Sequence, residues 1–591
     1  MQNAVHLPLR AVTAAILGGM IAMAAGCESG MQRIDRHTNE RLRESAATLG
    51  GGAIYPELDG NRYENGSYFA KFPEDVDRPS TVNPPAADLK YESAPPRKED
   101  AASIAARFER LKIGDPDIRK VTFENAIQIS LERSEEYLSA EEAYLIAAIR
   151  LLIEEHRWGV IPTNITSANF ASSGQGGRFN NALGLVNSLG VSQRLPYGGE
   201  VSAAFVVSAT EQLDDYLSNT DTQSADFVLE AAVPLLRGAG EVAQESLIQA
   251  RRNLVYAARE FEQFRRDYFY ELAADYLTLV VQLQGIANGV RQVERSAAVE
   301  ARTKALVESG RTEPFQADLA TQNTLFALDR LTGQREAYVL SLDRFKRRIG
   351  LDVADTVDID PVQFNLPAPL VDPAAALETA FRLRLDLQTA ADRVDDFNRR
   401  VAVARNNQLA DLDLVLTNNL PTDPTKNREG LAFDPGYDDF SARLVFAMPL
   451  DRTKEDLELR EAQIEAEQAM RRFENSRDEA AVQVRQAARG IERSQFSLAI
   501  QEKNVQASMN RQAAIDAAPD RATARDRTEA VDALRRAQDS LDVAKRDLQL
   551  AILRYLNNTG QMRVAPDGSL IPLPGMKVEE ETGEQLIDTS P

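Results

Sequence analysis

Side chains able to do chemistry are few in this chain and widely separated. Histidine occurs only at His6, His37 and His156 and cysteine only at Cys27, with no HExxH pair and no phosphate-cradling glycine loop. Carboxylates are abundant, but at helical spacing they mark solvated faces, and choosing any two as acid and base is arbitrary. Asp59 and Asn61 start a calcium-loop alternation that stops at Tyr63 without the required glycine, which leaves a turn. The expectation is a protein with no catalytic residue, no cofactor and no metal site. A formal net charge of −22 also removes nucleic acid as a partner, because no Lys/Arg excess exists to neutralise phosphates.

Cys27 is the one position with a specific chemistry. It ends "MQNAVHLPLRAVTAAILGGMIAMAAGC", where Arg10 precedes an apolar run from Ala11 to Ala25, so residues 1–26 read as a secretory signal. The "AAGC" ending resembles the lipobox of bacterial lipoproteins, in which the cysteine is lipidated and becomes the mature N-terminus. A lone thiol in an exported chain fits that role. No later stretch reaches the roughly 18 uninterrupted apolar residues of a spanning helix, so any membrane crossing must use strands.

The elements that would position such residues follow in a fixed order. Residues 27–115 are polar and punctuated by Pro and Gly, and read as an extended arm with little core. From Asp117 the pattern is helical, with Leu131, Leu138, Leu145 and Leu152 seven apart. Alternation then predicts a strand through Val201, Ala203, Phe205, Val207 and Ala209, and another through Phe227, Leu229, Ala231 and Val233. Pro234, Gly238 and Gly240 turn the chain into a helix from Glu241 to about Ser309, roughly 100 Å long. Gly310 and Pro314 mark a reversal, a return helix runs from Phe315 to Ile349, and a Pro-rich connector fills 351–372.

The order then repeats. Ala376, Leu377, Ala380 and Ala390 fall in register with Ala126, Ile127, Ser130 and Ala140, and alternation returns at Leu412, Leu414, Leu416 and at Leu444, Phe446, Met448. "MPL" around Pro449 matches "VPL" around Pro234. A long helix from Glu455 to about Ala517 reverses at "APDRATARD", and Gly560 stands where Gly350 stood. The repeats cover 116–350 and 373–560, with a tail at 561–591, and the first carries about 35 more residues around its strands. Stacking each half-length helix before the strands on the return helix of the other half would match the long rods.

Strand, "VPLLRGAG" and a long Ala/Gln/Arg-rich helix, together with "RLDLQTAADRV" and "ARNNQLADLDL", resemble the TolC family of outer-membrane efflux and secretion channels. Leu385 and Ala410 stand where that family often has proline. The resemblance covers Asp117 to Gly560 and implies a mainly α fold with a membrane β-barrel: a homotrimer whose four strands per chain make a twelve-stranded barrel and whose helices make a tunnel. It further implies outer-membrane lipid around the barrel, a periplasmic adaptor at the helical tips and, through it, an inner-membrane pump. On this reading Gly310, Asp318, Asp520 and Asp526 are gate residues at the tips, and Arg311, Thr312, Arg521 and Thr523 contact the adaptor. Tyr197, Phe227, Phe433, Tyr437 and Phe440 are candidates for an interfacial girdle. The alternative, a periplasmic coiled-coil adaptor or structural lipoprotein, predicts one hairpin and a compact β-domain.

Overall fold

The structure, a computed structural model, describes residues 30–48, 54–58, 119–175, 178–212, 222–361, 363–423, 433–517, 523–574, 576 and 579–581. The signal, Cys27, Asp520 and Arg521 lie outside the described residues.

Two long helices, α4 (Glu245–Glu308) and α8 (Thr453–Ala517), form the backbone of the molecule. Neither contains an internal proline, and their 64 and 65 residues make rods of roughly 95 Å. Leu247, Leu254, Phe261 and Tyr268, seven apart, begin the buried stripe of α4, and Val484 and Ile491 lie in that of α8. Toward the sheet, α3 (Glu135–His156) packs on α4, α4 on α7 (Leu385–Asn407) and α7 on α8. Toward the reversals, α5 (Pro314–Arg348) packs on α4, α4 on α9 (Ala524–Asn558) and α9 on α8. Each level is therefore a wall four helices wide. In α3 the buried stripe runs Tyr137, Tyr144, Leu151, with Leu145 and Ala148 beside it, while Leu138 and Leu152 flank it half-buried.

The expected helix before the strands is broken in two in each half. α2 (Phe123–Arg133) ends at Ser134, whose ψ of 120° leaves the helical region and whose hydroxyl caps α3 by accepting from the Tyr137 N–H. The second half breaks at Arg384, also at ψ 120°, between α6 (Pro373–Leu383) and α7, even though Leu385 is no proline. The Arg384 guanidinium fixes that break by donating to Asp386 at 2.7 Å and to Gln483 at 2.8 Å. Gly350, just past α5, lies against the Arg133 backbone, and Gly560, just past α9, lies against that of Leu383 and Arg384. The half-length helices thus meet end to end within each half, not between halves as expected. Two short sheets make a small collar element: β1 (Arg119–Val121) pairs parallel with β6 (Val357–Ile359), and β7 (Gln363–Asn365) pairs antiparallel with β10 (Glu579–Glu581).

Part of the N-terminal arm, expected to be extended, is helix α1 (Gly30–Thr48). Leu42 and Ala46 are buried, the Tyr144 hydroxyl donates to the Leu42 carbonyl, and Arg41 reaches Glu155 of α3.

The largest correction concerns strands. One antiparallel sheet orders β2 (Ile161–Gln175), β3 (Arg178–Arg194), β4 (Glu200–Gln212), β5 (Thr222–Pro234), β8 (Asp411–Pro421) and β9 (Asp439–Ala447). The chain contributes six strands where four were expected, because the extra length of the first half is a complete hairpin, β2–β3.

Candidate functional site

The register of the sheet sorts its side chains into two faces, since directly opposed residues in an antiparallel pair share a side. Phe205 opposes Phe227, which opposes Leu420, and Leu412 opposes Phe446. The expected apolar positions of β4, β5, β8 and β9 therefore fall on one side. The other side is polar: Ser202 opposes Glu230, Thr417 opposes Ser441, and the hydroxyls of Ser208 and Ser224 lie 2.6 Å apart. The sheet is thus two-faced, with apolar side chains on one side and mostly polar ones on the other.

The strand-to-helix turn is built from both halves. Pro234 closes β5 opposite Asp413, where its missing N–H costs no ladder bond, and the Leu235 N–H donates to the Leu412 carbonyl at 2.7 Å. Gly238 and Gly240 have φ of 77° and 80°; the Gly238 N–H donates to Asn406 of α7 and the Gly240 N–H to the Tyr197 carbonyl. Gly199, absent from the sequence reading, is the tightest point: at φ 89° any Cβ there would run into the Ala232 carbonyl oxygen. "YGGE" after Pro196 was the available signal. Pro449 enters α8 without glycines, and there the Asp451 carboxylate accepts from the Thr453 N–H at 3.0 Å.

At the first reversal Gly310 adopts φ 69°, and the Arg311 N–H bonds back to the Leu306 carbonyl, a glycine-type helix end. Arg311 and Asp318 are exposed and Thr312 is half-buried, with Pro314 opening α5. At the second reversal Thr523 and Asp526 form a capping box: the Thr523 hydroxyl accepts from the Asp526 N–H, while the Asp526 carboxylate accepts from the Thr523 N–H. The Thr523 hydroxyl and then its N–H hold the Asp526 carboxyl below the usual range. Asn323 of α5 approaches Thr528 of α9 at 3.5 Å, which brings the two reversals to one end of the molecule.

No family model matches the sequence, and no curated protein does. Solved structures do match in three dimensions. The outer-membrane channel OprN superposes with a TM-score of 0.56 at 16% identity, covering 74% of this chain and 90% of its own. VceC of Vibrio cholerae gives 0.56 at 14%, covering 74% and 96%, and the CmeC channel of Campylobacter jejuni 0.56 at 12%, covering 74% and 85%. The fold is that of the TolC-family outer-membrane channels.

Within this channel fold a polar seam lies between α4 and α9, above the reversals. Asn288 donates to Asp539 at 2.9 Å and to Asp542 at 3.3 Å, Gln292 donates to Asp532, and Arg535 pairs with Asp539. Burial pushes the Asp542 carboxyl up to about 6. The sequence reading missed this seam because its members look like an ordinary solvated helix face. Among the described residues no group of three His, Cys, Asp or Glu side chains is placed to hold a metal ion. No described helix is long and apolar enough to cross a membrane.

Proposed function

We propose that the chain is an outer-membrane export conduit in a tripartite efflux or secretion system. The observation that carries this reading is a two-faced antiparallel sheet continuing, through tight turns, into a wall of helical rods roughly 95 Å long. Four-helix walls and open sheet edges close only with further copies, and a homotrimer accounts for both. On this reading the two halves are an internal repeat, Cys27 carries the lipid anchor, and the connector and collar circle the tunnel midway. Substrate moves passively through a water-filled lumen; a periplasmic adaptor docks at Arg311, Thr312, Arg521 and Thr523, and an inner-membrane pump supplies the energy. Asp318 is the gate candidate at the first reversal; Asp526 shares its carboxylate with the cap, and Asp520 belongs to the same loop.

Planar-bilayer conductance of the detergent-purified protein, with oligomer mass determined on the same sample, tests the proposal. Discrete channels from a trimer are expected. A soluble, non-conducting monomer overturns it.

A further inference from the structure

We infer that the barrel wall is built from six strands of every copy, with the β2–β3 hairpin as part of the wall, and that β9 of one copy pairs with β2 of the next. Resting on the reading of the chain as a trimeric channel, this makes three copies of a six-stranded sheet, eighteen strands, in place of the twelve that four per chain would supply.

Three observations point this way. First, the hairpin shares both faces of the sheet. Phe170 opposes Leu183, Leu189 opposes Phe205 and Val191 opposes Ala203, all on the apolar side. A hairpin projecting into water has no use for such a face, whereas a lipid-facing wall requires it. β2 and β3 are 15 and 17 residues long, ample for the roughly 9–11 that a tilted spanning strand needs, and β9 has 9.

Second, the free edges sit over the free flanks of the helical wall. β2 follows α3 and β9 leads into α8, and α3 and α8 are the outer helices of the order α3, α4, α7, α8. One neighbour therefore closes sheet and wall together. Strand directions alternate across the sheet, so β9 meets a neighbouring β2 antiparallel, and the ring closes without a mismatched pair.

Third, the widths agree. Four helices at about 9 Å spacing span about 36 Å, and six strands at about 4.8 Å, tilted by about 40°, span about 38 Å, whereas four strands span only about 25 Å. A six-stranded arc continues the helical wall without a change of radius.

Paired cysteines test the seam. Thr163 and Ser167 lie on the polar face of β2, and Ser441 and Val445 on that of β9. Chains carrying Thr163→Cys with Val445→Cys, or Ser167→Cys with Ser441→Cys, and the registers two residues to either side, are oxidised in membranes and run without reductant. The unsubstituted chain, with Cys27 alone, is the control. Dimers and trimers from at least one register are expected. The competing arrangement places the hairpin outside the wall and β9 against a neighbouring β4; Ser202→Cys with Ser441→Cys reports it. Cross-linking through β4, or no β2–β9 product in any register, overturns the inference. If the same chains still give trimeric channels in bilayers, the conduit reading survives that result; if they give soluble monomers, both fall.

Discussion

The Asp526 carboxylate accepts from both the N–H and the hydroxyl of Thr523, so a substitution there removes a helix cap as well as a charge. Thr523→Ala should cost about 1 kcal/mol at the start of α9 and speed amide exchange over its first turn, read by hydrogen exchange. Asp526→Ala should act in the same direction. Because its folded pKa is depressed, the cap contributes above the unfolded value and is lost as pH falls through the folded one. Asp318, exposed just past the first turn of α5, is the cleaner gate test. Asp542 has the opposite sign. Burial raises its pKa to about 6, so the folded state holds the proton more tightly, and stability is lost as pH rises from the unfolded value through about 6. Asp542→Asn should therefore raise the thermal midpoint above pH 6, by the equivalent of about 1 kcal/mol after allowance for solvent screening, and change little near pH 4. Melting curves across that range decide it, and an unchanged pH profile sinks the assignment.

At the scale of elements, the middle of α4 is tied to the C-terminal tail through one carboxylate. Glu262 accepts from Arg265 at 2.8 Å and from Arg266 at 3.2 Å, with all three side chains nearly out of solvent. Arg265 also donates to the carbonyls of Val564 and Ala565, and Arg266 to that of Gly560. Removing the carboxylate leaves two guanidiniums buried without their counter-charge, so Glu262→Ala should cost about 3–5 kcal/mol. Denaturant unfolding measures that loss, and proteolysis should release the tail first. The long helices, their reversals and four of the six sheet strands were legible in the sequence, because unbroken 3.5-residue and two-residue periods report burial on one side. β2 and β3 were not. Asn164, Thr166 and Asn187 fall on the side that carries Phe170 and Leu189, so the alternation blurs just where the extra hairpin lies. The breaks at Ser134 and Arg384 escaped because a cap and a guanidinium bridge, not a proline, make them. Of the candidate site, the turn at Pro234 and the glycine at 310 were readable as turn chemistry, whereas the Asn288–Asp542 seam depends on which helix faces which.

For the whole molecule, the proposed channel reading makes the polar side of the sheet a predictor of what the pore should pass. Glu200, Asp226, Glu230, Asp411, Asp413 and Asp439 lie on that side, against Arg194 and Arg443. The imbalance agrees in sign with the chain's net charge of −22 and would be multiplied by every copy around a ring. Fixed carboxylates facing a water-filled lumen concentrate cations and repel anions over about a Debye length, so potassium should be preferred over chloride by at least about threefold at low ionic strength. The reversal potential in a KCl gradient across a bilayer measures this. The preference should shrink toward 1 M salt, where screening falls to about 3 Å. It should also weaken in an Asp226→Asn, Glu230→Gln variant, which leaves the apolar side untouched. Asp318→Ala at the distant reversal should alter opening without abolishing the barrel's preference, because the charges that select and the charges that gate then sit at opposite ends of the rods. An anion-preferring pore would mean that the acidic side of the sheet does not line the conducting path, and the assignment of its two faces to lipid and lumen would have to be reversed.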